Sequence, residues 1–162
     1  MSPPLFVISL GETPLSRWLR FSPYPFPILI MTHIVTIAAF GGVVAIGNLR
    51  VLGYAMRETP VSEVLNQFRV IKWVGFGMLL LTGTLIALSD PIEYYSNVMF
   101  WISLGVLALA GVNSWIFHNG AERSVAEWNI SKPIPAAARG WAICSLILWV
   151  SLVGIGRAIA FF

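Results

Sequence analysis

The sequence predicts an all-α fold: an integral membrane bundle of four transmembrane helices with short interfacial helices, forming a single transmembrane domain over residues 1–162. Three observations predict it. Of the residues, 57% are hydrophobic and only 10% are charged, where a soluble domain carries about 25% charged residues. Four apolar runs are each close to the roughly 20 helical residues needed to cross the hydrocarbon layer. Lys and Arg gather in alternate loops, as they do in membrane proteins of defined orientation.

The first span runs from about Pro27 to Leu49, the second from about Trp73 to Leu88, the third from about Val98 to Phe117 and the fourth from about Gly140 to Ala160. The second is the shortest, so Lys72 is expected to snorkel at one end. Arg50, Arg57, Arg69 and Lys72 lie between spans one and two, and Arg123, Lys132 and Arg139 between spans three and four. The loop between spans two and three, DPIEYYSN, has no Lys or Arg and carries Asp90 and Glu93. The positive-inside rule then makes the first and third loops cytoplasmic and leaves both termini outside, with Arg17, Arg20 and Arg157 as lesser counterweights. Tyr94, Tyr95 and Trp101 at one face, with Trp73 and Trp141 at the other, fit interfacial aromatic belts.

Two further segments read as short interfacial helices. Thr13-Pro14 places a capping residue before a proline at the first helical position, and Leu15, Trp18 and Leu19 then share a face opposite Ser16, Arg17 and Arg20. Thr59-Pro60 repeats the arrangement before Val61, Val64, Leu65 and Phe68.

Several functional classes are excluded. No basic stripe with interleaved aromatics and no glycine-rich phosphate loop is present, so nucleic acid is not an expected partner. The single cysteine, Cys144, cannot form an intrachain disulfide and is expected as a small buried apolar residue. The first residues, MSPPLFVISLGETPLSRW, lack a basic start and are a poor signal peptide. No nucleophile–base pair, HExxH motif or intramembrane Asp or Glu appears, so the chain is not expected to be an enzyme on its own. The glycines of the spans are read as close-packing positions between helices, which points to other membrane subunits or further copies of the chain as partners, beside the lipid bilayer itself.

Polar side chains within spans are costly in lipid and are therefore the candidate functional residues. His33 lies roughly 9 Å inside one end of span one, at a rise of about 1.5 Å per residue, whereas His118 closes span three roughly 32 Å from the same side. Spans one and three run in the same direction, so the two rings differ in depth by roughly 20 Å and cannot share one haem iron. At the level of His33 stand Thr84, Met99, Ser103 and Arg157. A His/Met set suits haem iron or copper, with His33 as the metal ligand, Met99 as a second donor and Arg157 as a partner for a haem propionate. The plainer alternative is a histidine hydrogen-bonded to a neighbouring Thr or carbonyl. At the other end, Asn48, Arg50, Asn113 and His118 form a second polar group, where interfacial residues reach water, lipid or quinone head groups.

These residues carry a resemblance to a family of small bacterial four-span membrane proteins of uncharacterised function. It rests on ETPLSRWLR, YPFPILIMTHIV, GNLRVLG, WVGFGMLLLTG, NSWIFHN and GRAIAFF. His33, His118, Arg50 and Arg157 match the family pattern, while Asn48 stands where an aspartate is expected. The resemblance implies a bacterial cytoplasmic membrane location. A looser, fold-level similarity links the chain to copper-resistance and b-type cytochrome membrane domains. The expected function is a membrane-embedded accessory or electron-transfer subunit of a respiratory or photosynthetic complex, binding one haem b. A cofactor-free structural subunit and a small-solute or copper transporter are the alternatives.

Overall fold

The computed structural model describes residues 3–120, 125 and 134–161. They form eight helices: α1 (Leu5–Gly11), α2 (Pro14–Phe21), α3 (Pro25–Leu52), α4 (Val61–Gln67), α5 (Arg69–Ser89), α6 (Pro91–Ser96), α7 (Val98–Asn119) and α8 (Ala136–Ala158). Four of them, α3, α5, α7 and α8, are long and apolar enough to cross a membrane. The chain is a multi-pass membrane protein of all-α architecture.

Local chemistry sets the helix boundaries. Pro25 and Pro27 occupy the first turn of α3, where a missing N–H costs nothing. The same helix closes on Gly53, whose φ of 83° suits glycine. Tyr54 N donates to Leu49 O at 2.9 Å and Gly53 N to Arg50 O at 3.0 Å, which satisfies the last carbonyls. The second span is longer than its apolar core suggests. Phe68 ends α4 and at once begins α5, giving 21 helical residues without Lys72 having to make up a shortfall. Three alanines after Pro135 likewise extend α8 backwards from Gly140.

The four long helices stand in a row, α5–α3–α8–α7, each antiparallel to its neighbour. On the α3/α5 seam His33 meets Thr82, the Phe40 ring lies over Gly75, and Lys72 reaches Gly47. On the α3/α8 seam Trp149 covers Gly41, and Asn48 Nδ2 donates to Ser145 Oγ at 3.0 Å. Between α7 and α8, Asn97 and Asn113 donate from Nδ2 to Ile159 O and Trp141 O at 3.0 and 3.3 Å. Among the described residues α7 makes no comparable packing with α3 or α5. Large apolar side chains along all four helices remain exposed, Met31, Val35, Trp115 and Val150 among them. Lipid covers such surfaces as well as protein does, so helices here associate through small residues and hydrogen bonds rather than through a buried apolar stripe.

The end of the row that carries the two termini is roofed by α1, α2 and α6. Val7, Ser16 and Leu19 are buried there, and Arg20 pairs with Asp90 at 2.7 Å. Thr13 accepts from Ser16 N at 3.3 Å, the capping expected before α2. The buried face of α2 differs from expectation: Ser16 packs against Ser89, while Leu15 and Trp18 are exposed. An interfacial helix has an apolar solvent on one side, so its apolar residues need not face the protein. At the opposite, basic end a small core joins Val51, Val61, Leu65, Ala138 and Ala142. The helix expected after Thr59-Pro60 is present as α4, with Val61, Val64 and Leu65 buried against the protein, but the capping differs. Pro60 is the N-cap residue and makes no side-chain cap, while the Thr59 carbonyl serves Arg50. Cys144 is exposed rather than buried, on a face of α8 that no described helix covers.

Candidate functional site

His33 sits in the third turn of α3 and is half-buried against α5. Its Nδ1 lies 2.7 Å from Thr82 Oγ1, and that hydroxyl is 2.7 Å from Met78 O. A hydroxyl has one hydrogen, and the carbonyl can only accept it. With Thr82 donating to Met78, its oxygen accepts from His33 Nδ1–H, and in the neutral ring this arrangement assigns the lone pair to Nε2. Nε2 has no hydrogen-bond partner among the described residues and is not sealed from its surroundings. Thr82 is itself buried. Gly83 is the next residue, and a Cβ there would lie 3.5 Å from His33 Cε1, so its lack of a side chain leaves room beside the ring. The hydrogen bond at Nδ1 orients the ring and leaves Nε2 available, and a neutral imidazole held in this way is the form in which histidine ligates a metal.

The residues expected around His33 share its level without converging on it. Counting eight residues along each antiparallel helix from the Gly41–Trp149 contact places Arg157 level with His33, and the Asn97–Ile159 bond puts Met99 near that level too. Arg157 is exposed, its guanidinium 4.5 Å from the Phe161 ring centroid. Met99 is half-buried on α7, with α8 standing between α7 and α3, and Ser103 Oγ turns back to Phe100 O at 2.6 Å. Thr84 is exposed, because two residues along a helix from Thr82 carries it to the far side from α3. Thr82, not Thr84, supplies the hydroxyl. A seven-residue spacing marks this seam in the sequence: Phe26, His33, Phe40 and Gly47 on α3 face Ser89, Thr82 and Gly75 on α5.

Two turns beyond His33 on that seam, Phe26 and Ser89 join Arg20, Asp90 and Glu93 in lining an open cleft of ≈ 200 Å³. Beside it the Tyr94 phenol is pushed above its usual range by burial and by the charges of Glu93 and Asp90, so it stays protonated at neutral pH.

The second polar group divides. Asn48 bridges Val44 O and Ser145 Oγ, and Asn113 is buried with Oδ1 lacking a partner. Arg50 is only 5% exposed and donates Nε–H to Thr59 O at 2.7 Å. His118 is exposed near the end of α7. By helix rise it lies roughly 18 Å deeper than His33, measured from the starts of the two parallel helices. The described residues hold no group of three His, Cys, Asp or Glu that would chelate a metal ion.

Residues 28–162 match the model of a family of unknown function, DUF6644. The chain belongs to that family. The DUF6644 match takes in α5, α7, α8 and nearly all of α3, with both histidines, and begins after α1 and α2. No curated protein and no solved structure matches the chain.

Proposed function

We propose that this chain is a membrane-embedded accessory or electron-transfer subunit of a respiratory or photosynthetic complex, and that it holds one haem b through His33 Nε2. The supporting observation is the His33–Thr82–Met78 chain of hydrogen bonds, which orients a neutral imidazole in an apolar setting and leaves its lone pair without a protein partner. A single nitrogen donor suits the axial position of a haem, whose four equatorial ligands the macrocycle already supplies, better than it suits a bare copper ion. Met99 is separated from α3 by α8, so among the described residues His33 would be the one to hold the group. Arg157, level with His33, is the cation available to a propionate.

The decisive experiment is a reduced-minus-oxidised absorption spectrum of the protein purified in mild detergent, with haem content by pyridine extraction. A b-type difference spectrum is the expected result. A colourless, haem-free protein from haem-replete cells would overturn this reading and leave His33 as a hydrogen-bonding link between helices in a structural subunit.

The membrane in this proposal is a bacterial cytoplasmic membrane with both termini outside, because the basic residues lie in the loops after α3 and α7. Reporter fusions at residues 55 and 92 are expected to be active on the cytoplasmic and the outer side respectively. Cytoplasmic activity at 92 would reverse the orientation.

A further inference from the structure

A permanently charged side chain is buried at the basic end of the row. Arg50 is 5% exposed, yet its one hydrogen bond in the described structure is from Nε to the Thr59 carbonyl, at 2.7 Å. The two ion pairs among the described residues, Arg17–Glu12 and Arg20–Asp90, leave it without a carboxylate. Its two amino nitrogens have no acceptor in the described structure, and neither is sealed off from the surroundings. A guanidinium stays charged at any physiological pH, so it cannot escape the cost of burial by losing its proton. A buried cation normally has a paired anion, and the described residues offer none here.

Depth identifies where that anion comes from. Arg50 lies 25 residues along α3 from Pro25, or roughly 37 Å by helix rise, which is beyond the hydrocarbon of about 30 Å and within the head-group layer. Thr59 fixes the Nε edge of the guanidinium, and α4, whose Val61, Val64 and Leu65 are buried, follows at once and packs against α3. The remaining amino edge has the planar, two-donor geometry that matches a phosphate.

We propose that Arg50 is a binding site for a phosphate group at the basic end of the bundle, supplied by an anionic phospholipid of the adjoining leaflet. The site is separate from His33 and does not depend on haem. The lipid phosphate neutralises the buried guanidinium and ties the α3–α4 corner to the bilayer surface.

Thermal unfolding of delipidated protein in a neutral detergent tests the proposal, with phosphatidylglycerol, phosphatidylcholine or inorganic phosphate added. Phosphatidylglycerol is expected to raise the unfolding temperature of the wild type by several degrees at concentrations where phosphatidylcholine does not. Arg50→Gln should weaken the apparent affinity about tenfold or more, as loss of a charge-assisted hydrogen bond implies. Arg57→Gln, which changes an exposed arginine nearby, should not. An equal response to inorganic phosphate would confirm the phosphate site and assign it to the free ion. Equal responses to phosphatidylglycerol and phosphatidylcholine, or an unchanged phosphatidylglycerol affinity in Arg50→Gln, would overturn the proposal. If Arg50→Gln does not fold, native mass spectrometry of the wild type decides: retention of phosphatidylglycerol over phosphatidylcholine is expected, and no preference refutes the site.

Discussion

His33→Ala is expected to abolish the haem absorbance of the purified protein, while His118→Ala keeps most of it. The two histidines lie near opposite ends of parallel helices, roughly 18 Å apart in depth. One iron cannot take both from one chain. Thr82→Val separates ligation from orientation, since it preserves the volume of the side chain but removes the acceptor for Nδ1–H. Loss of such an outer partner costs roughly 10–100-fold in metal affinity, so this variant should bind haem weakly and recover part of its absorbance in excess haem. His33→Ala should not recover. Equal loss from the two histidine variants, with both proteins folded, would refute the depth argument.

Gly41→Ala is expected to destabilise the bundle more than a like change at any other span glycine. A Cβ at Gly41 would lie 2.6 and 2.7 Å from Trp149 Cε2 and Cζ2, and nearer still to Nε1. The indole is a rigid plate held edge-on against the Phe40 ring at 5.2 Å, so relieving the clash means moving that ring pair. Overpacking of this kind costs about 1–3 kcal/mol, against which alanine recovers about 1 kcal/mol of helix propensity. Gly42 is the internal control, because a Cβ there meets nothing within 4 Å. Unfolding in mixed micelles should show Gly41→Ala destabilised and Gly42→Ala neutral or stabilised. Trp149→Phe should restore part of the loss in the Gly41→Ala background. Indistinguishable Gly41→Ala and Gly42→Ala proteins would show that the α3/α8 seam is not held by this contact.

The four spans, their α-helical class and the two candidate histidines with their separation in depth are legible in the order of residues alone. Each depends on local quantities. Crossing lipid demands a minimum run of apolar residues with every backbone group bonded within its own helix, and depth follows from rise per residue. The capping of α2 by Thr13 was legible for the same reason, as was the presence of a short helix at α4. Helix ends were less so: α5 begins at Arg69 because α4 runs straight into it through Phe68, a junction that hydrophobicity does not mark. Which helices touch emerges from the packed bundle. That packing set the row α5–α3–α8–α7, chose Thr82 over Thr84 as the partner of His33, placed α8 between His33 and Met99, and left the Arg50 amino groups without an acceptor among the described residues. The physical reason is that an apolar solvent does not distinguish a protein-facing Leu from a lipid-facing one. With that signal gone, neighbours are selected by where a glycine admits a ring and where a hydroxyl meets an imidazole, and these are properties of pairs of helices rather than of either sequence segment.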